Sequence, residues 1–248
     1  MAKGWYILHT YSGYENKIER TIKTMLENGD LSSDIVIDVK VPVEEVVDLR
    51  QLPFLQEETI FIGADRGAYH LLNADIIPTE IIGDFDSISY KELDTLRKHV
   101  THVSIMPSEK DETDTRLALL EAMKYKPNEV ILTGVSGSRL DHYQAALHDV
   151  YHFQRLHPEV SFYIQNNKNK LQFLLPGTHK IDQQEYKYIS FYPFGEGLED
   201  VTLDGFLYNV EEEPISYGHA KFTSNEQVER TSTISFKSGI CLMIRSSD

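Results

Sequence analysis

The sequence predicts an α/β protein with three parts: a mostly parallel, doubly wound sheet, an antiparallel β-sandwich after it, and a small strand–helix–strand appendage before it. From about residue 46 to 165, short apolar runs alternate with helical stretches, which is typical of a parallel sheet covered on both faces. After residue 165 the helical period disappears, and short strand candidates are separated by Gly, Pro and Asn turns, which favours a sandwich. We therefore predict regions at residues 1–45, 46–165 and 166–248.

The N-terminal region has the pattern of one helix between two strands. Apolar residues recur every three or four positions between Glu15 and Leu26, which predicts an amphipathic helix. An aromatic run at Trp5–His9 predicts a strand before it, and the alternation of Ile35–Val41 predicts a half-buried strand after it.

The middle region supplies six strand candidates and two strong helix candidates. The strands are predicted at Val46–Leu49, Thr59–Gly63, Ile81–Gly83, Val103–Met106, Val130–Thr133 and Ser161–Ile164. Helices are predicted at Thr113–Tyr125 and His142–Leu156, and another is expected to begin near Tyr90. The sandwich strands are predicted at Leu171–Leu175, Tyr188–Pro193, Val201–Leu203, Thr233–Phe236 and Ile240–Ile244.

Composition argues against several classes of protein. Twenty-four basic and 39 acidic residues give a net charge of −15, which disfavours a nucleic-acid partner because such binding needs cations. No apolar run approaches the roughly 20 residues that span a bilayer, so no membrane association is expected. The start of the chain lacks the pattern of a secretory signal, and a single cysteine, Cys241, favours the reducing cytoplasm.

Two carboxylates follow the strand candidate at residues 81–83. Asp84 and Asp86 are separated by one residue, so they would point the same way if the strand geometry persists. The carboxyl ends of parallel strands are where open α/β sheets bind ligands, and paired oxygen ligands suit Mg²⁺. The alternative is a plain turn, in which Asp86 or Ser87 caps the next helix.

A second acidic cluster precedes the helix predicted at residues 113–125. Asp111 and Asp114 are three residues apart, so one helical face can carry both. Acidic residues in a first turn are also favoured by the helix dipole and as N-caps, and for this cluster taken alone a structural role is the stronger interpretation. Two acidic clusters at two strand ends would nevertheless converge on one crevice.

A Gly/Ser-rich loop at residues 134–139 leads into the last long helix. Its backbone N–H groups, together with Arg139, could cradle a phosphate, although the loop matches neither the Walker A nor the G-x-G-x-x-G pattern. A helix-capping loop without a ligand is the alternative. Arg66, after another strand candidate, could meet a phosphate or pair with Asp65 or Asp84.

Taken in order, these motifs resemble bacterial thiamine pyrophosphokinase over about residues 51–248. The matching segments are A-D-R-G-A (64–68), G-D-F-D-S-I-S (83–89), S-E-K-D-E-T-D-T-R-L-A-L (108–119), G-V-S-G-S-R-L-D-H (134–142), T-S-N-E (223–226) and S-G-I-C-L-M-I-R-S (238–246). The resemblance implies an enzyme that transfers the diphosphoryl group of ATP to thiamine, giving thiamine diphosphate and AMP. It also implies a nucleotide-binding α/β domain, a thiamine-binding sandwich, and a homodimer with thiamine at the subunit interface.

The resemblance also assigns roles to individual residues. The residues implied to hold Mg²⁺ are Asp84, Asp86 and Asp111, and Asp114 would lie nearest the thiamine hydroxyl. The residues implied to lie at the nucleotide phosphates are Arg66, Lys110, Thr113, Arg139 and Asp141. Those implied to lie near thiamine are Tyr217, Ser224 and Asn225, where Tyr217 stands at a position at which relatives often carry tryptophan.

The first fifty residues resemble a different family, the transcription factor NusG. The matching segments are G-W-Y-I-L-H-T-Y-S-G-Y-E-N-K-I-E (4–19) and V-P-V-E-E-V-V (41–47), which cover about half of the NusG N-terminal domain. The chain therefore reads as a fusion, in which Val46–Leu49 is expected to replace the first strand of the kinase sheet. The alternatives to an active kinase are a catalytically inactive protein that binds thiamine or a partner, and a transcription elongation module.

Overall fold

The structure is a computed structural model that describes residues 15–30, 59–85, 88, 90–100, 102–105, 112–136 and 139–248. The chain divides into two compact units, Met1–Glu45 and Val46–Asp248. The first unit contains helix α1 (Glu15–Glu27), which confirms the helix predicted there. The strands predicted at Trp5–His9, Ile35–Val41 and Val46–Leu49 lie outside the described residues.

The described part of the second unit begins with alternating strands and helices. Its first nine described elements are β1 (Ile62–Ala64), α2 (Arg66–Asn73), β2 (Glu80–Gly83), α3 (Tyr90–His99), β3 (His102–Ile105), α4 (Asp114–Lys124), β4 (Glu129–Leu132), α5 (Leu140–Leu156) and β5 (Ser161–Gln165). Strands β1, β2 and β3 form a parallel sheet in that order. Ile81 of β2 packs with Ala68 of α2 and Leu96 of α3, so one face of this sheet is covered by helices.

The remaining eight elements are strands. They are β6 (Asn169–Leu174), β7 (Gly177–Asp182), β8 (Tyr188–Pro193), β9 (Leu198–Asp204), β10 (Val210–Ile215), β11 (Phe222–Asn225), β12 (Thr231–Phe236) and β13 (Cys241–Ser246). One sheet has the order β10-β9-β12-β7, and the other has the order β11-β8-β13-β6-β5-β4. A shared core that includes Phe191, Phe206, Ile234 and Met243 joins the two sheets, so the predicted antiparallel sandwich is present.

Among the described residues, the parallel strands between positions 46 and 165 fall into two sheets. Strands β4 and β5 are parallel to each other, but β5 pairs with β6 in antiparallel fashion and so joins them to the sandwich. The Asn-rich segment at residues 166–170 makes this reversal possible, because Asn166 Oδ1 accepts the backbone N–H groups of Lys168 (2.9 Å) and Asn169 (2.8 Å). The predicted region boundary is therefore a tight turn within one mixed sheet.

Helix α5 covers the other face of this mixed sheet. Val150 and Phe153 of α5 pack against Phe162 of β5 and Phe173 of β6 in a second core, to which Leu119 of α4 also belongs. Among the described residues, every helix is too short or too polar to span a bilayer.

Candidate functional site

Three carboxylates come together at the carboxyl ends of β1 and β2. Asp65 follows β1, Asp84 follows β2, and Asp114 is the first residue of α4. A ligand oxygen of each lies within 4.8 Å of the other two, and all three side chains are partly buried. Neighbouring parallel strands end at the same edge of a sheet, and α4 packs against β1 and β2, so the fold itself causes this convergence.

The segments after β1 and β2 are tied to each other. Asp65 Oδ1 accepts the backbone N–H of Phe85 (3.0 Å), and the backbone N–H of Asp65 donates to the carbonyl of Ile82 (2.8 Å). Asp65 and Phe85 both have positive φ angles, 51° and 57°, which are uncommon for residues other than glycine. Backbone strain of this kind is concentrated at functional sites, where the surrounding structure holds it in place.

Gly83 permits the close approach of the Asp65 carboxylate. Its φ is 154°, and a Cβ built on it would lie 2.5 Å from Asp65 Oδ1. Any larger residue would displace the carboxylate or the strand end. The close contact with the carboxylate of Asp65 therefore explains why the G-D-F-D motif begins with glycine.

The predicted pairing of Asp84 with Asp86 rested on strand geometry that does not persist. Strand β2 ends at Gly83, and Phe85 has left the extended region and is buried. Asp86, Lys110 and Asp111 lie outside the described residues, so their assignments remain predictions.

Asp65 was missed as a ligand candidate, because the sequence presented it only as a partner for Arg66. The signal that could have found it was its position directly after a parallel strand. Arg66 is exposed and begins α2 immediately after the carboxylate cluster.

Thr113 caps the helix that carries Asp114. Its Oγ1 accepts the backbone N–H of Arg116 (3.1 Å), which is the bond expected of a Thr N-cap. Asp114 thus occupies the first turn, where the positive end of the helix dipole stabilises its carboxylate. The structure gives Thr113 a capping role, and its implied phosphate contact remains a prediction.

The loop after β4 presents an exposed ion pair at the start of α5. Arg139 donates to Asp141 through Nη2 to Oδ2 (2.5 Å) and through Nε to Oδ1 (3.1 Å), so the pairing is bidentate. This guanidinium lowers the pKa of Asp141 to about 2. The loop is also braced by Asn166 at the end of β5, whose Nδ2 donates to Ser136 Oγ (2.9 Å). A fixed guanidinium beside a Gly/Ser loop is chemically suited to phosphate oxygens.

The three residues implied to lie near thiamine have very different surroundings. Tyr217 is 64% exposed, and Ser224 is exposed with a φ of 57°. Asn225 is fully buried, and its Oδ1 accepts the backbone N–H groups of Tyr208 and Glu226, both at 3.0 Å. Its Nδ2 donates to the carbonyl of Tyr208 (2.8 Å). The structure therefore gives Asn225 a role in joining β11 to the turn at residue 208.

We expect Asn225→Ala to lower the free energy of unfolding by about 1–3 kcal/mol, because it removes a fully buried side chain that makes three hydrogen bonds, two of them to the backbone of Tyr208. Urea unfolding measures this loss. Asn209→Ala is the matched control, because Asn209 is exposed and accepts one hydrogen bond, from Phe206 N at 2.9 Å in the same turn. Equal stability of Asn225→Ala and the wild type would contradict the structural role.

Comparisons with known proteins point to two families. The thiamin pyrophosphokinase catalytic domain model matches residues 52–163, and the thiamin pyrophosphokinase vitamin B1 binding domain model matches residues 178–241. A model of transcription termination factor nusG matches residues 3–70. Both resemblances noted in the sequence are thereby confirmed.

Individual relatives agree with these matches. Thiamine pyrophosphokinase of Bacillus subtilis is 36% identical over 196 residues, which are 79% of this chain and 91% of that protein. Its crystal structure matches with a TM-score of 0.76, covering 82% of this chain and 94% of that one. The Geobacillus thermodenitrificans structure, at 33% identity, matches with a TM-score of 0.74 over 82% and 92% of the two chains. NusG of Treponema pallidum is 38% identical over 50 residues, which are 20% of this chain and 27% of that protein.

Proposed function

The chain belongs to the thiamine pyrophosphokinase family, whose members transfer the diphosphoryl group of ATP to thiamine, and we propose that it does so at the Asp65–Asp84–Asp114 cluster with Mg²⁺. The observation that carries the proposal is the convergence of three partly buried carboxylates within 4.8 Å. Carboxylates this close repel one another, and a divalent cation removes the repulsion.

The donor set fits Mg²⁺. Carboxylate oxygens are the ligands this ion takes, usually one or two of them together with water and substrate phosphates. Oxygens of Asp65, Asp84 and Asp114 lie close enough together to share the ion, and Asp86 and Asp111 are the further ligand candidates that the sequence predicts. Bound there, Mg²⁺ supplies charge neutralisation on the phosphates of ATP.

The side chains of this chain would contribute to that reaction in several ways. Asp114, at the positive end of α4, belongs to the carboxylate cluster and is also the carboxylate that the family resemblance implies to lie nearest the thiamine hydroxyl. Arg139 would bind phosphate oxygens, and Arg66, Lys110, Thr113 and Asp141 would lie near them, as the family resemblance implies. A primary alcohol is a weak nucleophile, so positioning and electrostatic stabilisation carry the catalysis.

We further propose the finer organisation that the family resemblance implies. It comprises a doubly wound nucleotide-binding domain, a thiamine-binding sandwich and a cytoplasmic homodimer with thiamine at its interface. Exposed apolar side chains on the sandwich, Leu207, Tyr208 and Val228, support a partner surface there. Tyr217, Ser224 and Asn225 are the thiamine-side candidates.

The purified protein is expected to release AMP from ATP only when both thiamine and Mg²⁺ are present. Chromatography of the nucleotides measures this directly, and omission of thiamine is the control. Release of ADP instead of AMP would contradict diphosphoryl transfer. Thiamine binding by calorimetry without AMP release would favour the alternative, an inactive binding protein fused to the NusG-like segment.

A further inference from the structure

A buried carboxylate outside the cluster connects the helix that carries Asp114 to α5. Asp149 lies in the middle of α5 and is only 8% exposed. Its Oδ1 accepts from Arg116 Nη1 (2.9 Å), and its Oδ2 accepts from Thr113 Oγ1 (3.4 Å). One side chain of α5 thereby holds both the N-cap and the first turn of α4.

Arg116 is fixed on more than one side. Its Nε contacts Glu112 Oε2 at 2.7 Å, and its guanidinium lies 5.8 Å from the ring centroid of Phe153 on α5. The hydrogen bond to Asp149 raises the pKa of Arg116 above its ordinary value. Glu112, Thr113, Arg116 and Asp149 together form what we call the α4–α5 clamp.

Two residues of the clamp, Thr113 and Arg116, lie on either side of Asp114 in the sequence. Asp114 lies directly after Thr113 and two residues before Arg116, so fixing those two residues fixes the backbone that carries its carboxylate. The ion pair joins a buried carboxylate to a partly exposed guanidinium and contributes little net stability, because desolvation of the charges offsets their attraction. Charge-assisted hydrogen bonds are directional, however, and fix geometry more narrowly than apolar packing does.

We propose that Asp149 and Arg116 are positioning residues that hold Asp114 in register with Asp65 and Asp84. Neither residue touches the metal or the substrates; they act through the N-terminus of α4. The inference rests on the proposed metal site. It adds to that site a buried carboxylate of α5, which sets metal affinity without being a ligand.

The central test is a titration of the nucleotide-free protein with Mn²⁺. The electron paramagnetic resonance signal of free Mn²⁺ measures how much of the ion is bound. Mn²⁺ takes the same oxygen ligands as Mg²⁺. Asp149→Asn is expected to raise the dissociation constant about tenfold, as is usual when residues that orient metal ligands are changed. The Mg²⁺ concentration for half-maximal AMP release should rise by a similar factor, with kcat recovered at saturating Mg²⁺.

Controls separate positioning from general stability. Leu119→Val weakens the packing of α4 through a buried residue outside the clamp, and it should lower Tm without changing Mn²⁺ affinity. Lys124→Gln removes the ion pair with Glu121 at the other end of α4, and it should change neither Tm nor Mn²⁺ affinity. Arg116→Lys keeps the charge but loses the planar fork, so it should weaken Mn²⁺ binding, and it covers the case in which Asp149→Asn does not fold.

The possible results are distinct. Unchanged Mn²⁺ affinity in the folded Asp149→Asn and Arg116→Lys proteins would overturn the positioning role while leaving the metal site intact. An equal loss of affinity in Leu119→Val would show that any destabilisation of α4 suffices, and would overturn it too. Absence of Mn²⁺ binding by the wild type would refute the metal site and the clamp together.

Discussion

Replacing Asp84 by Asn is expected to lower AMP release at least about tenfold, because it removes one anionic ligand from a shared cation. Asp65→Asn should have an effect of the same size, although only the structure identifies that residue. Asn keeps an oxygen that can accept the Phe85 N–H, so the tie between the two strand ends survives in Asp65→Asn. Steady-state kinetics over a range of Mg²⁺ concentrations measures both losses.

Unfolding measurements and a matched control show whether the loss of AMP release comes from the metal site itself or from a general loss of stability. Both Asn variants should stay folded, because removing one of three clustered carboxylates also removes like-charge repulsion. Asp94→Asn is the control, since Asp94 is an exposed residue of α3 paired with Lys98 (2.6 Å) on the helix surface. Full activity of Asp84→Asn and Asp65→Asn at saturating Mg²⁺ would mean that the cluster is a set of turns and caps.

Replacing Gly83 by Ala is expected to have an effect at least as large, without changing any charged group. The new methyl group would lie 2.5 Å from Asp65 Oδ1, so the carboxylate is expected to leave its present position in the cluster with Asp84 and Asp114. A displacement of about 1 Å at such a site can cost about a hundredfold in rate. The strained backbone adds a loss of about 1–3 kcal/mol in the free energy of unfolding. AMP release and urea unfolding measure the two effects separately.

Gly67→Ala provides the comparison for this variant. Gly67 lies in α2, and a Cβ built there meets nothing within 4 Å. Alanine should therefore preserve activity and raise stability by about 0.5–1 kcal/mol, as expected within a helix. If Gly83→Ala behaves like Gly67→Ala, the close contact with Asp65 does not constrain the site.

The long periodic elements were predictable because packing and pattern agree in them. The pattern of Tyr188–Pro193 predicted β8 with its observed bounds, and α5 begins two residues before its predicted start at His142. Strands β7 and β10 were missed because they are edge strands of the four-stranded sheet. Strand β10 carries three consecutive glutamates and Pro214, residues that disfavour strands in general but suit an exposed edge.

The candidate site was only partly predictable, because some of its residues belong to no local sequence pattern. Asp84 and Asp114 stood out because each belongs to a dense acidic motif. Asp65 has no acidic neighbours, and its contribution depends on a turn with positive φ that no periodicity encodes. The contact between Arg116 and Asp149 joins residues 33 positions apart on two different helices, which a single sequence does not reveal.

The position of β13 has a consequence for how the protein is made. This last strand lies between β6 and β8, with β5 and β4 beyond β6. Until β13 has been added, the place between β6 and β8 stays empty, and the edges of these two strands remain open to pairing with other chains. A chain truncated before β13 would therefore lack a central strand rather than a peripheral one, and it would be prone to aggregate or to be degraded.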